Sequence, residues 1–249
     1  MKYLILLLLG FLVNGSSTKE PSYSIETTNA LEGAWEMVSM NGQKISHRAV
    51  LLIEEPYAFY TEFDVENKEF VGSQGGTIEI IANKVFYTME FNTWSDEQIG
   101  EQIQMTAELK ANEVTLMYNY DAGTSNKMIL NRIDDGNSDL AGAWRITDRM
   151  RNGEMQAMQL GARKTIKMIT GSRFQWAAFN PETKQFSGTG GGKVTLKDGK
   201  YSEHIEFFSR NPDRVGADLT FNYEVNGDKW THSGLSSSGD PIKEIWTRQ

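Results

Sequence analysis

Cysteine is absent from all 249 residues. That excludes disulfides, thiolate metal sites and thiol nucleophiles. It also excludes a bacterial lipoprotein anchor, which needs a cysteine at its cleavage site. A secreted chain of this kind is held by its apolar cores alone, which suits a bacterial envelope protein better than an animal extracellular domain. Basic charge is short as well: 25 Lys and Arg stand against 33 Asp and Glu, a net charge of −8. Nucleic acid and anionic membrane surfaces both require a basic patch. The chain has no basic run and no RNA-binding aromatic motif, so neither is expected as a partner. The three histidines, His47, His204 and His232, have no metal-ligand spacing to one another.

What is present begins with an N-terminal signal. Met1-Lys2 supplies a positive start and residues 3–13 form an almost wholly apolar run. A bilayer span takes ~20 residues, so this run is too short to be one. Small or permitted residues at Val13 and Gly15 place cleavage after Gly15, with an uncleaved anchor as the alternative. Residues 1–15 are then a signal peptide and 16–28 a flexible N-terminal segment. The expected location is secreted or periplasmic, with no stable membrane anchor after cleavage. Losing Lys2 takes the net charge of −8 to about −9.

The rest of the chain is a repeat. Leu31-Glu32-Gly33-Ala34-Trp35 recurs as Leu140-Ala141-Gly142-Ala143-Trp144, an offset of 109. Residues 63–132 then align with 179–248 at an offset of 116, without a gap, and 17 of the 70 pairs are identical. Chance would give about four or five. The identities include Phe70/Phe186, Gly75/Gly191, Gly76/Gly192, Glu90/Glu206, Phe91/Phe207 and Arg132/Arg248. An insertion of seven residues within 148–161 of the second copy accounts for the change of offset. The period is that of a whole small domain rather than of a solenoid unit. This predicts one barrel over 29–133, a polar linker over 134–139 and a second barrel over 140–249. One large barrel closed by two half-sheets is the alternative.

The local pattern is that of strands. Ala217, Leu219, Phe221, Tyr223 and Val225 alternate with polar residues, a period of two. Asn226-Gly227-Asp228 follows as a hairpin turn. Strands are likewise expected over 142–150, 165–170, 173–180, 186–196, 201–208, 229–235 and 242–248, eight in about 110 residues. No stretch carries a helical period. Sequential hairpins favour an all-β architecture of two tandem eight-stranded antiparallel up-and-down barrels, because closure removes exposed edges.

Gly33-Ala34-Trp35 opens the first copy and Arg132 closes it; Gly142-Ala143-Trp144 opens the second and Arg248 closes it. A Gly-x-Trp on the first strand with an Arg on the last resembles the lipocalin and calycin signature. The chain is most similar in this respect to short lipocalin-like domains of secreted Bacteroidetes proteins. The resemblance implies that Trp35, Arg132, Trp144 and Arg248 are structural. In that family the Arg packs over the Trp at the closed end, a cation–π contact worth ~0.5–2 kcal/mol.

Candidate chemistry is sparse. Gly72-Ser73-Gln74-Gly75-Gly76 and Gly188-Thr189-Gly190-Gly191-Gly192 run into strand residues, not into the helix a phosphate loop requires. They read as bends or bulges. His232 stands opposite Leu116 in the repeat and therefore points inward; it is either a satisfied core histidine or a ligand contact. His204, opposite Thr88, reads as exposed. Glu203 stands opposite Tyr87 on an apolar face, and so is either paired inside or set near the mouth in water. Trp176, Tyr201, Phe221, Tyr223, Trp230 and Trp246 also fall on inward faces. Their first-copy counterparts, among them Tyr60, Met105, Val114 and Leu116, are mostly smaller, so the two interiors should differ.

These readings lead to a binding protein holding a small, largely apolar ligand in one barrel. The pocket candidates are Trp176, Tyr201, Glu203, Phe221, Tyr223, Trp230 and His232. No catalytic residue, metal or cofactor is expected, and no protein partner is specified. The rival is an interaction or envelope module whose barrels are packed solid. A third reading is an isomerase-like or haem-dependent enzyme on the same fold. Fold analogy alone supports the ligand.

Overall fold

Strands with one apolar face each bury all of those faces at once when the sheet closes on itself. The computed structural model describes residues 30–119, 124–236 and 238–249, and shows this closure twice. The expected signal peptide and N-terminal segment lie outside the described residues.

The first barrel is built from β1 (Gly33–Met40), β2 (Gln43–Lys44), β3 (Arg48–Glu54), β4 (Tyr57–Asp64), β5 (Glu69–Ile81), β6 (Lys84–Asn92), β7 (Gln102–Lys110), β8 (Glu113–Asn119) and β9 (Ser125–Asp134). The second follows with β10 (Gly142–Arg151), β11 (Glu154–Ala157), β12 (Lys164–Ile169), β13 (Arg173–Asn180), β14 (Gln185–Lys197), β15 (Lys200–Phe208), β16 (Asp218–Asn226), β17 (Lys229–Leu235) and β18 (Pro241–Arg248). Neighbours pair antiparallel, and β1–β9 and β10–β18 close the two rings. Each ring has eight strands, with β2 and β11 as short additions folded back on the first strand. The insertion in the second copy lies in and after the longer β10–β11 hairpin, which carries four paired positions where β1–β2 carries two.

Closure brings the ends of each repeat together. The guanidinium carbon of Arg132 lies 4.0 Å from the Trp35 ring centroid and that of Arg248 lies 4.2 Å from Trp144. Each indole N–H donates to the carbonyl four residues before it, at 2.9 Å for both Trp35 to Leu31 and Trp144 to Leu140. This end of each barrel is shut and the other is the mouth.

The glycine runs sit inside the long strands β5 and β14. The register slips at Gly75/Gly76 and at Gly191/Gly192. A Cβ on Gly76 would stand 1.9 Å from the Thr88 carbonyl oxygen, and one on Gly192 would stand 2.0 Å from that of His204. The glycines therefore permit a bulge against the next strand.

The two barrels are pressed together over the outer faces of β3–β6 and β12–β15. Val50, Leu52, Phe59, Phe63 and Phe91 of the first join Ile166, Met168, Ala177, Phe179 and Phe207 of the second in one buried cluster. The contacts are reciprocal. Phe63 meets Phe207 at 4.8 Å between centroids, and their repeat counterparts Phe179 and Phe91 meet at 4.9 Å. A patch that packs against its own duplicate in this way has the geometry of an isologous two-fold interface. Of the polar groups trapped in it, Glu90 keeps one carboxylate oxygen without a partner, while Thr61, Ser73, Gln175 and Thr189 bond to one another. Gln175 takes a hydrogen bond from Thr61 at 2.8 Å and gives bonds to Ser73 and Thr189 at 3.0 and 3.1 Å.

Asp134, at the head of the linker expected from sequence, is the last residue of β9. Its carboxylate accepts from the backbone N–H of Gly171 and Ser172 and from the hydroxyls of Thr170 and Ser172. The connection is thereby fastened to the β12–β13 turn. Burial raises the Asp134 carboxyl, but these bonds outweigh it and hold the group below its usual range.

Candidate functional site

The interiors of the two rings differ. The first is filled by aliphatic and methionine side chains around Leu51, Ile78, Val85, Ile103, Leu116 and Met128, leaving a void of about 60 Å³. Its mouth widens to about 320 Å³ between Met37, Met40, Ile45, Trp94 and Met128. His47 is not part of that lining; it lies 2.5 Å from Glu62, which also accepts from the Tyr60 hydroxyl. A recess of about 820 Å³ on the side of this barrel, between Lys84, Gln104 and Met117, is open to solvent and is lined mainly by polar side chains of β7 and β8.

The second ring holds a cavity of about 340 Å³ that reaches from its mouth to a charged floor. Alternation along β12 turns Ile166 and Met168 outward into the seam and Lys167 inward. Lys167 is 4% exposed, and its ammonium lies 2.7 Å from Glu203 Oε1. The rings of Phe174, Tyr201, Trp230 and Trp246 surround that ammonium at 5.4–5.6 Å from their centroids. Cation–π attraction and the carboxylate together offset the cost of burying the charge. The Tyr201 hydroxyl donates to the same Glu203 oxygen. Complete burial, and then the adjacent carboxylate, push that phenol well above its usual value.

Nearer the mouth is a second charged group. His232 is 2% exposed and its Nε2 lies 2.9 Å from Glu244 Oε2. Trp246 donates to the same oxygen at 3.2 Å and Arg149 binds the other at 2.5 Å. Burial raises the Glu244 carboxyl, but the hydrogen bond from His232 and the charges of Arg149 and Lys167 outweigh it and keep it anionic. Burial lowers the His232 imidazole, against the bond to Glu244, and Lys167 lowers it further, so the ring is neutral at pH 7. A carboxylate only accepts, so Nε2 carries the proton and Nδ1 is left as an acceptor. Nδ1 is buried without a partner on a ring that lines the cavity.

Four basic side chains line this cavity, Arg149, Arg163, Lys167 and Arg210, against the two carboxylates Glu203 and Glu244. Arg149 and Lys167 are matched by those acids. Arg210 gives its N–H groups to the Ser187 carbonyl, a neutral partner. Arg163 has no hydrogen bond or ion pair among the described residues. Two guanidiniums at the mouth are thus without an acid.

Of the residues singled out from sequence, Trp176, Glu203, Phe221, His232 and Trp246 line the cavity. Tyr201 and Trp230 are fully buried beneath it, and Tyr223 packs at the edge of the same core. Glu203 sits inside and paired, not near the mouth in water. His204 is half-exposed and bonds Asp218 at 2.8 Å. Sequence reasoning missed Lys167, Glu244, Arg149, Arg163 and Arg210. The test that found His232 was available for two of them: Lys167 stands opposite Leu51 in the repeat, and Glu244 opposite Met128.

Residues 139–249 match the model of a family described as "Domain of unknown function (DUF4488)". Among solved structures the chain is similar to an uncharacterized protein from Bacteroides eggerthii. The identity is 15%, over 45% of this chain and 100% of that one, with a TM-score of 0.33. No curated protein matches the chain.

Proposed function

We propose that the protein is a secreted or periplasmic, non-catalytic binding protein that uses its second barrel as a lipocalin does, to hold one small molecule. The observation that carries this is the cavity of about 340 Å³ over the Lys167–Glu203 and His232–Glu244 pairs. It falls within the volume range of small-molecule sites, which are mostly apolar with a few convergent polar groups. The first barrel has an interior void of about 60 Å³ and a mouth of about 320 Å³, and neither is lined by such a pair of buried ionic contacts. Lys167, Glu203, His232 and Glu244 are engaged with one another, as groups that shape and orient a site are. A floor of ionic pairs favours an amphipathic ligand over the largely apolar one expected from sequence, since an oil-like guest would leave polar groups facing it unmatched. Native mass spectrometry of the protein purified from its own host tests the reading. A stoichiometric adduct, lost when the cavity is filled by Ala178→Trp at its wall, is expected. A bare protein whose tryptophan fluorescence is unchanged by cell-extract metabolites would overturn it.

A further inference from the structure

The chemistry around the cavity goes further than its size and narrows the class of guest. At the inner of two polar contact points, above the Lys167–Glu203 floor, the cavity-lining His232 keeps Nδ1 as a buried acceptor without a partner, which calls for a donor such as a hydroxyl or N–H on the guest. At the mouth Arg163 and Arg210 carry guanidiniums that no carboxylate of the described residues matches, and both line the same space. Guanidinium forks are suited to planar carboxylates. Between the two ends the walls are aromatic: Phe174, Trp176, Phe208, Phe221 and Trp246. Such walls select a flat guest, which stacks or sits edge-on at little entropic cost. Arg163 at the mouth precedes Lys167 on the floor by four positions, roughly 13 Å of extended chain, which bounds the depth open to a guest that meets His232 above that floor.

We infer that the second barrel binds a small aromatic acid, with its carboxylate held at Arg163 and Arg210 and a hydroxyl or N–H at the far end of the ring given to His232 Nδ1. This rests on the second barrel being the binding site and adds the class of guest. The cation excess is local, because the chain as a whole carries a net charge of −8. The mouth therefore attracts an anion that the rest of the surface repels.

Calorimetric titration of the full chain with three probes tests it: 3-(4-hydroxyphenyl)propionate, its methyl ester, and 3-(4-methoxyphenyl)propionate. The hydroxy acid should bind, the ester at least tenfold more weakly, and the methoxy acid at least fivefold more weakly. Arg163→Gln with Arg210→Gln, both at exposed positions, should remove the preference for acid over ester. His232→Phe should remove the preference for hydroxyl over methoxy. Equal binding of all three probes would overturn the acid class while leaving the site itself standing. Binding of none of the three would overturn this inference as well, and a cargo without an acid group in the native protein would do the same independently of the probes.

Discussion

Lys164 meets Glu90 across the seam between the barrels at 2.6 Å, and the repeat counterparts of these two residues, Arg48 and Glu206, meet across it at 3.2 Å in the opposite sense. The aromatic pairs obey the same exchange. Two barrels that share one buried cluster have no separate edges along which to unfold. A single cooperative transition is therefore expected by scanning calorimetry. Phe207→Ala, which opens a cavity in the seam, should lower stability by about 3–5 kcal/mol and shift that one transition as a whole. Two resolved transitions, only one of them moved by the substitution, would contradict this account.

Glu206 is the sharper point of the seam. It is 3% exposed and serves Arg48, Arg173 and the more distant Lys193. Arg173 is itself buried. Removing the carboxylate strands a buried guanidinium, so Glu206→Ala should cost about 3–5 kcal/mol. Glu90→Ala should cost less, since Lys164 sits at a more open position and retains the Tyr57 hydroxyl at 3.1 Å. Urea midpoints of the two variants, measured side by side, check the order; equal losses would argue against it.

Glu54 gives a pH dependence with a definite sign. It is 5% exposed at the end of β3, and its Oε1 has no hydrogen-bond partner. Burial, with Glu32 and Asp134 adding to it and Arg248 opposing, pushes the carboxyl up from 4.5 to about 9. The folded state thus keeps a proton that the unfolded chain releases above pH 4.5. The stability tied to that proton is complete below pH 4.5 and is lost as pH rises through about 9. At pH 7 the loss is on the order of 3 kcal/mol. Glu54→Gln should be close to neutral at pH 5 and progressively stabilising relative to the native chain towards pH 8.5. Parallel melting-temperature profiles for the two proteins would rule this out.

Much of the architecture was legible because its causes are local. The alternation from Ala217 to Val225 and the return of Gly-x-Trp and Arg at both ends of a repeat are patterns of single strands and their closure. The seam was harder to read because it reverses the usual rule. On β12 the apolar residues Ile166 and Met168 face the other barrel, while Lys167 faces inward. The available sign was that β3 and β4, Ala49 to Ile53 and Tyr57 to Phe63, are apolar almost without alternation, as strands covered on both faces are. In the cavity, Glu203 and His232 were visible as polar residues on apolar faces. Their partners Lys167 and Glu244 required knowing which strands lie opposite, a long-range fact of the closed ring. Arg163 and Arg210 sit just outside strands, where no periodicity reports direction.

The Lys167–Glu203 pair separates a role in stability from a role in recognition. In the first barrel the same positions are Leu51 and Tyr87, both buried. An aliphatic and an aromatic side chain thus serve the fold at these positions, within the core of that barrel. Replacing a buried ion pair by well-packed residues of similar volume is often neutral or stabilising by ~1–4 kcal/mol, whereas removing one partner alone costs ~3–5 kcal/mol. Lys167→Met should therefore be strongly destabilising, because it leaves Glu203 buried with only the Tyr201 hydroxyl. Lys167→Met combined with Glu203→Gln should recover most of that loss, giving a coupling of about 2 kcal/mol or more in a double-mutant cycle by urea denaturation. The double variant should nevertheless lose the cargo seen by native mass spectrometry, since the floor of the cavity no longer carries charge. A double variant as unstable as Lys167→Met alone would make the pair a structural requirement of this barrel. Full stability with full cargo would make it irrelevant to both roles.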